Sequence, residues 1–202
     1  MDAFRGLKDL FKPDVRHEAF VIFDEKIGKH RRKTLEDHHA YISDINLHSG
    51  VPEDIRIHFE TTKNLLLYSW YVYRFIPIAE FHAAASLEFA LKEKTDGKIR
   101  GLKKLIEHAI SQGWVKNEGF TNWHQKMEIK KKERKMYEEL DKLRGEETEF
   151  INEEYDYIKI LKDTLPAIRN FYAHGSSMVH PGGYGKLGVC AEFINQLYGE
   201  KR

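Results

Sequence analysis

Arg169, Asn170 and His174 stand inside one six-residue stretch, Arg169-Asn-Phe-Tyr-Ala-His174, directly before Gly175. Histidine exchanges protons near neutrality, and an arginine within its reach adds a permanent cation, so the chemistry on offer is acid–base work beside a held charge. The spacing suits a helix. Asn170 and His174 are four apart and share a face, while Arg169 and His174 are five apart, about 140° around the axis, and the length of the arginine side chain lets the two meet. Gly175 can close that helix, gathering three polar groups at its C-terminal end. Two other uses of the same residues stay open. Arg169 can pair with a carboxylate such as Glu88, and His174 can bond the last carbonyls of its own helix.

The remaining chemistry-bearing residues are weaker candidates. The chain holds eleven histidines and one cysteine. His38, His39, His48 and His58 show no HExxH spacing and have no cysteine near them, and neighbours such as His38 and His39 point about 100° apart on a helix, so no metal site is expected. His180, six residues beyond His174, is the second candidate for proton transfer. The glycines at 182, 183 and 185 do not match a phosphate-binding GxxxxGK[ST] loop. Cys190 sits in an apolar helical pattern and reads as packed. Lys126 to Lys135 holds six basic and two acidic residues, and Met136 to Glu149 two basic and six acidic. Within the basic half, Lys130, Lys131, Lys132, Arg134 and Lys135 are candidate phosphate contacts, set against the alternative of a solvated helix face with i,i+4 pairs such as Arg134 and Glu138.

These groups need elements to hold them. The chain has 202 residues, 41% hydrophobic, with 12 Phe, 10 Tyr and 3 Trp, which suits one core plus a terminal extension. Lys and Arg (33) against Asp and Glu (32) leave a formal charge of +1, so any nucleic-acid binding must come from a local patch. The single cysteine excludes an intrachain disulfide and fits a reducing compartment. Met1 to Lys12 mixes Arg5, Lys8, Asp9 and Lys12 into its apolar residues and reads as no secretory signal. Leu65 to Ala79 is too short and too interrupted for a membrane span. A cytoplasmic protein is expected.

Residues 1–50 read as an N-terminal extension with a short strand in Glu18 to Phe23 and a short helix after a capping box at Thr34 to Asp37, placing Leu35, His39 and Ile42 on one face. Ser49-Gly-Val-Pro52 marks the boundary, and 51–202 reads as an all-α domain of four to five helices. Ile55, Phe59, Leu66, Trp70 and Tyr73 form one helical face, Pro77 kinks or ends that helix, and Ile78 to Lys94 continues as an Ala-rich helix. Leu102 to Ser111 is amphipathic. Met136, Leu140 and Leu143 make a narrow apolar stripe on the charged segment. Ile151 to Ala173 is helical, with Pro166 in the first turn of a restarted helix capped by Asp163 or Thr164. Val189 to Tyr198 is the last helix.

In this setting Arg169-Asn-Phe-Tyr-Ala-His174 resembles the R-x4-H motif of the HEPN superfamily (higher eukaryotes and prokaryotes nucleotide-binding domain), in the form with Asn directly after Arg. The resemblance spans roughly Asp54 to Tyr198, including the Ala-rich helix with Leu87-Glu88. It implies a HEPN-like helical bundle, a homodimer that joins two copies of the motif in a cleft, and in many members a metal-independent endoribonuclease of toxin or defence type. His174 is then the base or acid, Arg169 holds the phosphate oxygens, and Asn170 orients His174 or bonds the phosphate. The same resemblance allows a non-catalytic module that binds a nucleotide or a partner. An antitoxin or a small nucleotidyltransferase is the implied partner, and no cofactor or metal is implied.

Overall fold

The computed structural model describes residues 4–145, 155–175, 178 and 183–199. After a 3-10 turn over Val15–Ala19, strand β1 (Val21–Asp24) pairs antiparallel with β2 (Lys29–Arg32), Val21 opposite Arg32 and Asp24 opposite Lys29. Gly28, at φ +62°, turns the hairpin where a side chain would be strained. Helix α1 (Leu35–Ser43) then starts from the expected capping box. The Asp37 N–H donates to the Thr34 hydroxyl, and the Thr34 N–H donates to the Asp37 carboxylate. Thr34→Ala is expected to lower unfolding free energy in urea by about 1 kcal/mol, with Thr34→Ser restoring most of it.

The buried face of α1 differs from the expected one by one residue. His38 and Ile42 are buried and His39 is exposed. The reason lies in hydrogen bonding, because His38 Nε2 reaches the carbonyls of Leu66 (2.9 Å) and Leu67 (3.2 Å). These belong to the end of the next helix, where Leu66 and Leu67 also accept from the N–H groups of Ser69 and Trp70, three residues on, in place of the usual four-residue helical bonds. A buried imidazole is tolerated only where such acceptors wait for it.

Helix α2 (Glu53–Tyr68) buries Ile55, Phe59, Thr62 and Leu66 along one stripe, as its spacing predicts. It ends eight residues before Ile76. A turn over 69–74 leads into α3 (Phe75–Lys94), and Pro77 lies in the first turn of α3 instead of ending a helix. Proline fits there because first-turn N–H groups have no helical acceptor to lose. Trp70 and Tyr73 are buried by that turn. The His17 ring stacks on Trp70 at 4.5 Å, and the Asp14 N–H donates to the Trp70 carbonyl at 2.9 Å. The N-terminal segment is thereby fastened to the end of α2.

Helix α3 runs through the centre, against α2, α4 (Leu102–Ser111), α6 (Tyr157–Ala173) and α7 (Tyr184–Leu197). Its Ala79, Ala83 and Ala90 are fully buried and keep the neighbouring helices close, while Leu87 and Leu91 fill the core with Phe193 and Ile194 of α7. The described part of the chain is thus predominantly α-helical, a helical bundle carrying one two-stranded hairpin. No described helix is long and apolar enough to cross a membrane.

Two expectations about the later helices change. Pro166 lies inside a continuous α6, whose N-cap is Asp156, its carboxylate accepting from the Lys159 N–H at 3.1 Å. The buried contacts of Ile158, Leu161 and Leu165 before the proline, and the bond of Tyr172 to the buried Glu80 after it, hold the helix together across the bond it removes. Helix α5 (Thr121–Arg144) buries none of its residues. Its expected apolar stripe does not pack against the described residues, since Met136 is exposed and Leu143 is 84% exposed, with Leu140 half-buried. Arg134 and Glu138 do pair, at 3.0 Å.

Candidate functional site

The buried side of α6 faces α3 and α4, which fixes where the motif residues go. Arg169, one turn beyond Leu165, comes to rest against α3. Its Nε lies 3.4 Å from Glu88 Oε2, and its guanidinium carbon is 6.0 Å from the Phe81 ring centre. By distance this is an ion pair. Yet among the described residues the Arg169 Nε is a buried donor with no hydrogen-bond partner, so the N–H is not aimed at the carboxylate. Geometry decides here over distance, since an arginine locked into structure makes aligned, usually bidentate, bonds. Glu88 in turn has a closer cation, Lys92 at 2.7 Å on its own helix.

Asn170 is exposed beside Arg169, with Oδ1 3.4 Å from the guanidinium. The two line a cleft of about 420 Å³ whose opposite wall is the start of α4, with Arg100, Lys103, Lys104 and Glu107, and Glu88 at its floor. Lys103 also pairs with Asp163 of α6 across 2.8 Å, both side chains exposed. Arginine and lysine outnumber carboxylates along this cleft by four (Arg100, Lys103, Lys104, Arg169) to two (Glu88, Glu107), which makes it anion-attracting in a chain of nearly zero net charge.

His174 is the C-cap of α6, with its N–H donating to the Asn170 carbonyl at 3.1 Å. Gly175 follows at φ +82°, and its N–H donates to the Tyr172 carbonyl. The glycine therefore closes the helix as its position predicts. The His174 side chain is exposed, makes no hydrogen bond among the described residues, and is not part of the lining of the cleft. Within one chain the structure brings Arg169 and Asn170 together and leaves His174 beside them at the surface. Tyr172, inside the same motif, turns inward and donates to the buried Glu80 carboxylate at 2.5 Å, where Lys186 of α7 also donates at 2.7 Å. Burial and the Glu80 charge push the Tyr172 hydroxyl upward. This anchor fixes the last turn of α6 to the core.

Lys130, Lys131, Lys132, Arg134 and Lys135 lie on α5 and do not line the cleft. Lys130 sits over the Tyr155 ring, 5.6 Å from its centre. The cations that do line it, Arg100, Lys103 and Lys104, were legible as a short basic cluster around Gly101, the N-cap of α4 at φ +89°. His180 lies outside the described residues, as does the end of the acidic segment beyond residue 145.

One pairing of histidines has no counterpart in any local sequence pattern. The rings of His58 and His82 stack 4.2 Å apart between α2 and α3, with His58 Nδ1 2.8 Å from Ser86 Oγ and His82 Nδ1 2.8 Å from Thr62 Oγ1. Burial lowers both pKa values, and the His58 charge lowers that of His82 further. Among the described residues no three histidine, cysteine or acidic side chains gather in a way that could hold a metal ion. Cys190 is buried, its thiol pushed up to about 12 by burial, so it is no nucleophile. Comparison with protein-family models, with curated proteins and with solved structures finds no match for this chain.

Proposed function

We propose that the chain is a HEPN-type, metal-independent endoribonuclease in which Arg169, Asn170 and His174 act on an RNA phosphodiester across a dimer cleft. The observation that carries this reading is the buried, unbonded Nε of Arg169 at the floor of a cation-lined cleft. A guanidinium donor held out of water with no aligned acceptor is a site that an anionic ligand would complete. A phosphate oxygen supplies that acceptor, while Arg100, Lys103 and Lys104 hold the flanking backbone.

The chemistry follows from what the residues can do. A base removes the 2′-hydroxyl proton, the 2′-oxygen attacks phosphorus, and the 5′-oxygen leaves with a proton from an acid, giving a 2′,3′-cyclic phosphate and a 5′-hydroxyl. Arg169 holds the non-bridging oxygens as charge builds on them. His174 is the only imidazole in the motif, so one chain supplies one of the two proton-transfer groups and a second copy supplies the other. The outer face of α6 supports that pairing. Ile160, Ala167, Phe171 and His174 recur at helical spacing and all are exposed, an apolar stripe ending in the imidazole.

The test is cleavage of single-stranded RNA by the purified protein in EDTA. His174→Ala is expected to lower the rate at least a hundredfold with helical content unchanged, and Phe171→Glu to give monomers that do not cleave. Cleavage that survives His174→Ala would sink the assignment. The Arg169 and Glu88 ion pair favours one other reading, a non-catalytic module of the same fold that binds a nucleotide or a protein partner such as an antitoxin or nucleotidyltransferase. RNA bound in the cleft but never cut would mark that case.

A further inference from the structure

A second polar site lies where the N-terminal segment meets the bundle, sharing no residue with the cleft of α4 and α6. Lys33 sits between β2 and the capping box of α1, its N–H tied to the Phe20 carbonyl at 2.9 Å. Its side chain turns inward to a cavity of about 40 Å³ that also touches His17, His38 and Tyr184. That volume accommodates a few waters or a molecule of a few heavy atoms. The Lys33 amine donates to the Tyr184 hydroxyl and lies 4.1 Å from the centre of that ring and 5.1 Å from that of Tyr41.

The hydrogen bonds have one consistent direction. His38 Nε2 faces two carbonyls, those of Leu66 and Leu67, so it must carry the proton. In the neutral ring Nδ1 is then an acceptor, and the Tyr184 hydroxyl next to it is the donor. The Tyr184 oxygen accepts in turn from Lys33. The chain runs from Lys33 N–H to Tyr184 O–H to His38 Nδ1. The one carboxylate nearby, Asp37, is already engaged by both terminal nitrogens of Arg31, at 2.5 and 2.8 Å, and by the Thr34 N–H. Among the described residues Lys33 has no ion pair. Burial accordingly lowers its pKa to about 8, with Asp37 opposing.

An uncompensated lysine against aromatic rings, wired to a tyrosine and a neutral histidine, is the arrangement of an amine nucleophile. An anion would find a single cation here, since the hydroxyl of Tyr184 and the Nε2 proton of His38 are already used. A small uncharged carbonyl compound fits better. We propose that Lys33 is a carbonyl-reactive amine that condenses with short aldehydes in this cavity. The amine attacks the carbonyl carbon. Its proton passes to the Tyr184 oxygen as Tyr184 gives its own to the carbinolamine oxygen, and His38 Nδ1, the acceptor of the tyrosine hydroxyl before and after, holds that hydroxyl in place. Loss of water then leaves an imine on Lys33, with no other reactant needed. The groups that set its protonation are Asp37 and His38 of α1, Arg31 of β2, His17 of the preceding turn, and Tyr41 and Tyr184.

The experiment treats the whole protein at pH 7 with propionaldehyde and cyanoborohydride and follows alkylation of each lysine by peptide mass spectrometry. Lys33 is expected to react at least tenfold faster than Lys98, a lysine at the surface whose ion-pair partner Asp96 is itself exposed, and its rate to saturate with aldehyde concentration. Tyr184→Phe is expected to slow Lys33 about tenfold and leave Lys98 unchanged. Equal rates at Lys33 and Lys98, or a rate at Lys33 that rises linearly without limit, overturns the proposal. Both readings need only the unmodified chain, so they hold if Tyr184→Phe fails to fold. A normal fold with unchanged Lys33 reactivity in that variant overturns the relay and with it the site.

Discussion

Acidification from pH 7 to pH 4 is expected to remove on the order of 3 kcal/mol of stability through His38 alone. Its ring is 1% exposed, and burial, helped by the charge of Lys33, lowers its pKa from 6.5 to about 4 against the pull of the Leu66 carbonyl. The sign follows from proton counting. Between pH 6.5 and pH 4 the unfolded chain takes up a proton that the folded ring refuses, so stability is present above 6.5 and drains away as pH falls through that window. His17, whose Nε2 bonds the Ser69 carbonyl at 3.0 Å, and the stacked His58 and His82 are shifted in the same direction by burial and add to the slope. The carboxylates act later. Asp14, held by Arg16, falls to about 2, and Asp37, held by Arg31, lies well below its ordinary value, so their share is lost only below about pH 4. Urea unfolding followed from pH 7 to pH 3 then shows two legs. His38→Gln flattens the upper leg and spares the lower. An upper leg of unchanged steepness in that variant rules out a neutral, buried His38 as its source.

The same residues show where sequence reading reaches and where it stops. The capping box at Thr34, the stripe of Ile55, Phe59 and Leu66, the amphipathic Leu102 to Ser111 and the glycine stop at Gly175 are local patterns, and local backbone chemistry settles them. The prolines are local too, yet Pro77 opens α3 and Pro166 lies inside α6, against the local pattern of each. Whether a proline opens a helix or is carried inside one depends on what the flanking residues bury, and Ile158, Leu161 and Leu165 bury enough to carry Pro166. Long-range meetings leave no trace in spacing. Lys33 and Tyr184 are 151 residues apart, and His58 meets His82 only because α2 and α3 pack at one register. The basic run on α5 is the loudest charge signal in the sequence and does not line the cleft, whose cations come instead from a quieter cluster at the start of α4 and from Arg169.

Glu88→Gln and Arg169→Ala are expected to move RNA cleavage in opposite directions, and the contrast separates an arginine that works on substrate from one that only completes the fold. Arg169→Ala removes the guanidinium from the cleft, and loss of one such transition-state donor lowers the rate by about a hundred- to a thousandfold. Glu88→Gln keeps the shape of the floor and removes its charge. Glu88 retains little claim on Arg169 in any case, because Lys92 is its nearer partner at 2.7 Å and the Arg169 Nε proton is not directed at it. What the substitution removes is a negative charge lining the cleft, so a phosphate meets less repulsion beside Arg169 and kcat/KM is expected to rise severalfold, chiefly through a lower KM. If the arginine were structural, both substitutions would weaken the fold by similar amounts and the double variant would be no worse than either single one, the signature of two residues serving each other. Measuring urea unfolding and cleavage on all four forms of the cycle distinguishes the two. Unfolding free energies that change little while cleavage splits in opposite directions place Arg169 on the RNA, and a stability loss shared by both variants with no such split returns it to the helix interface with Glu88.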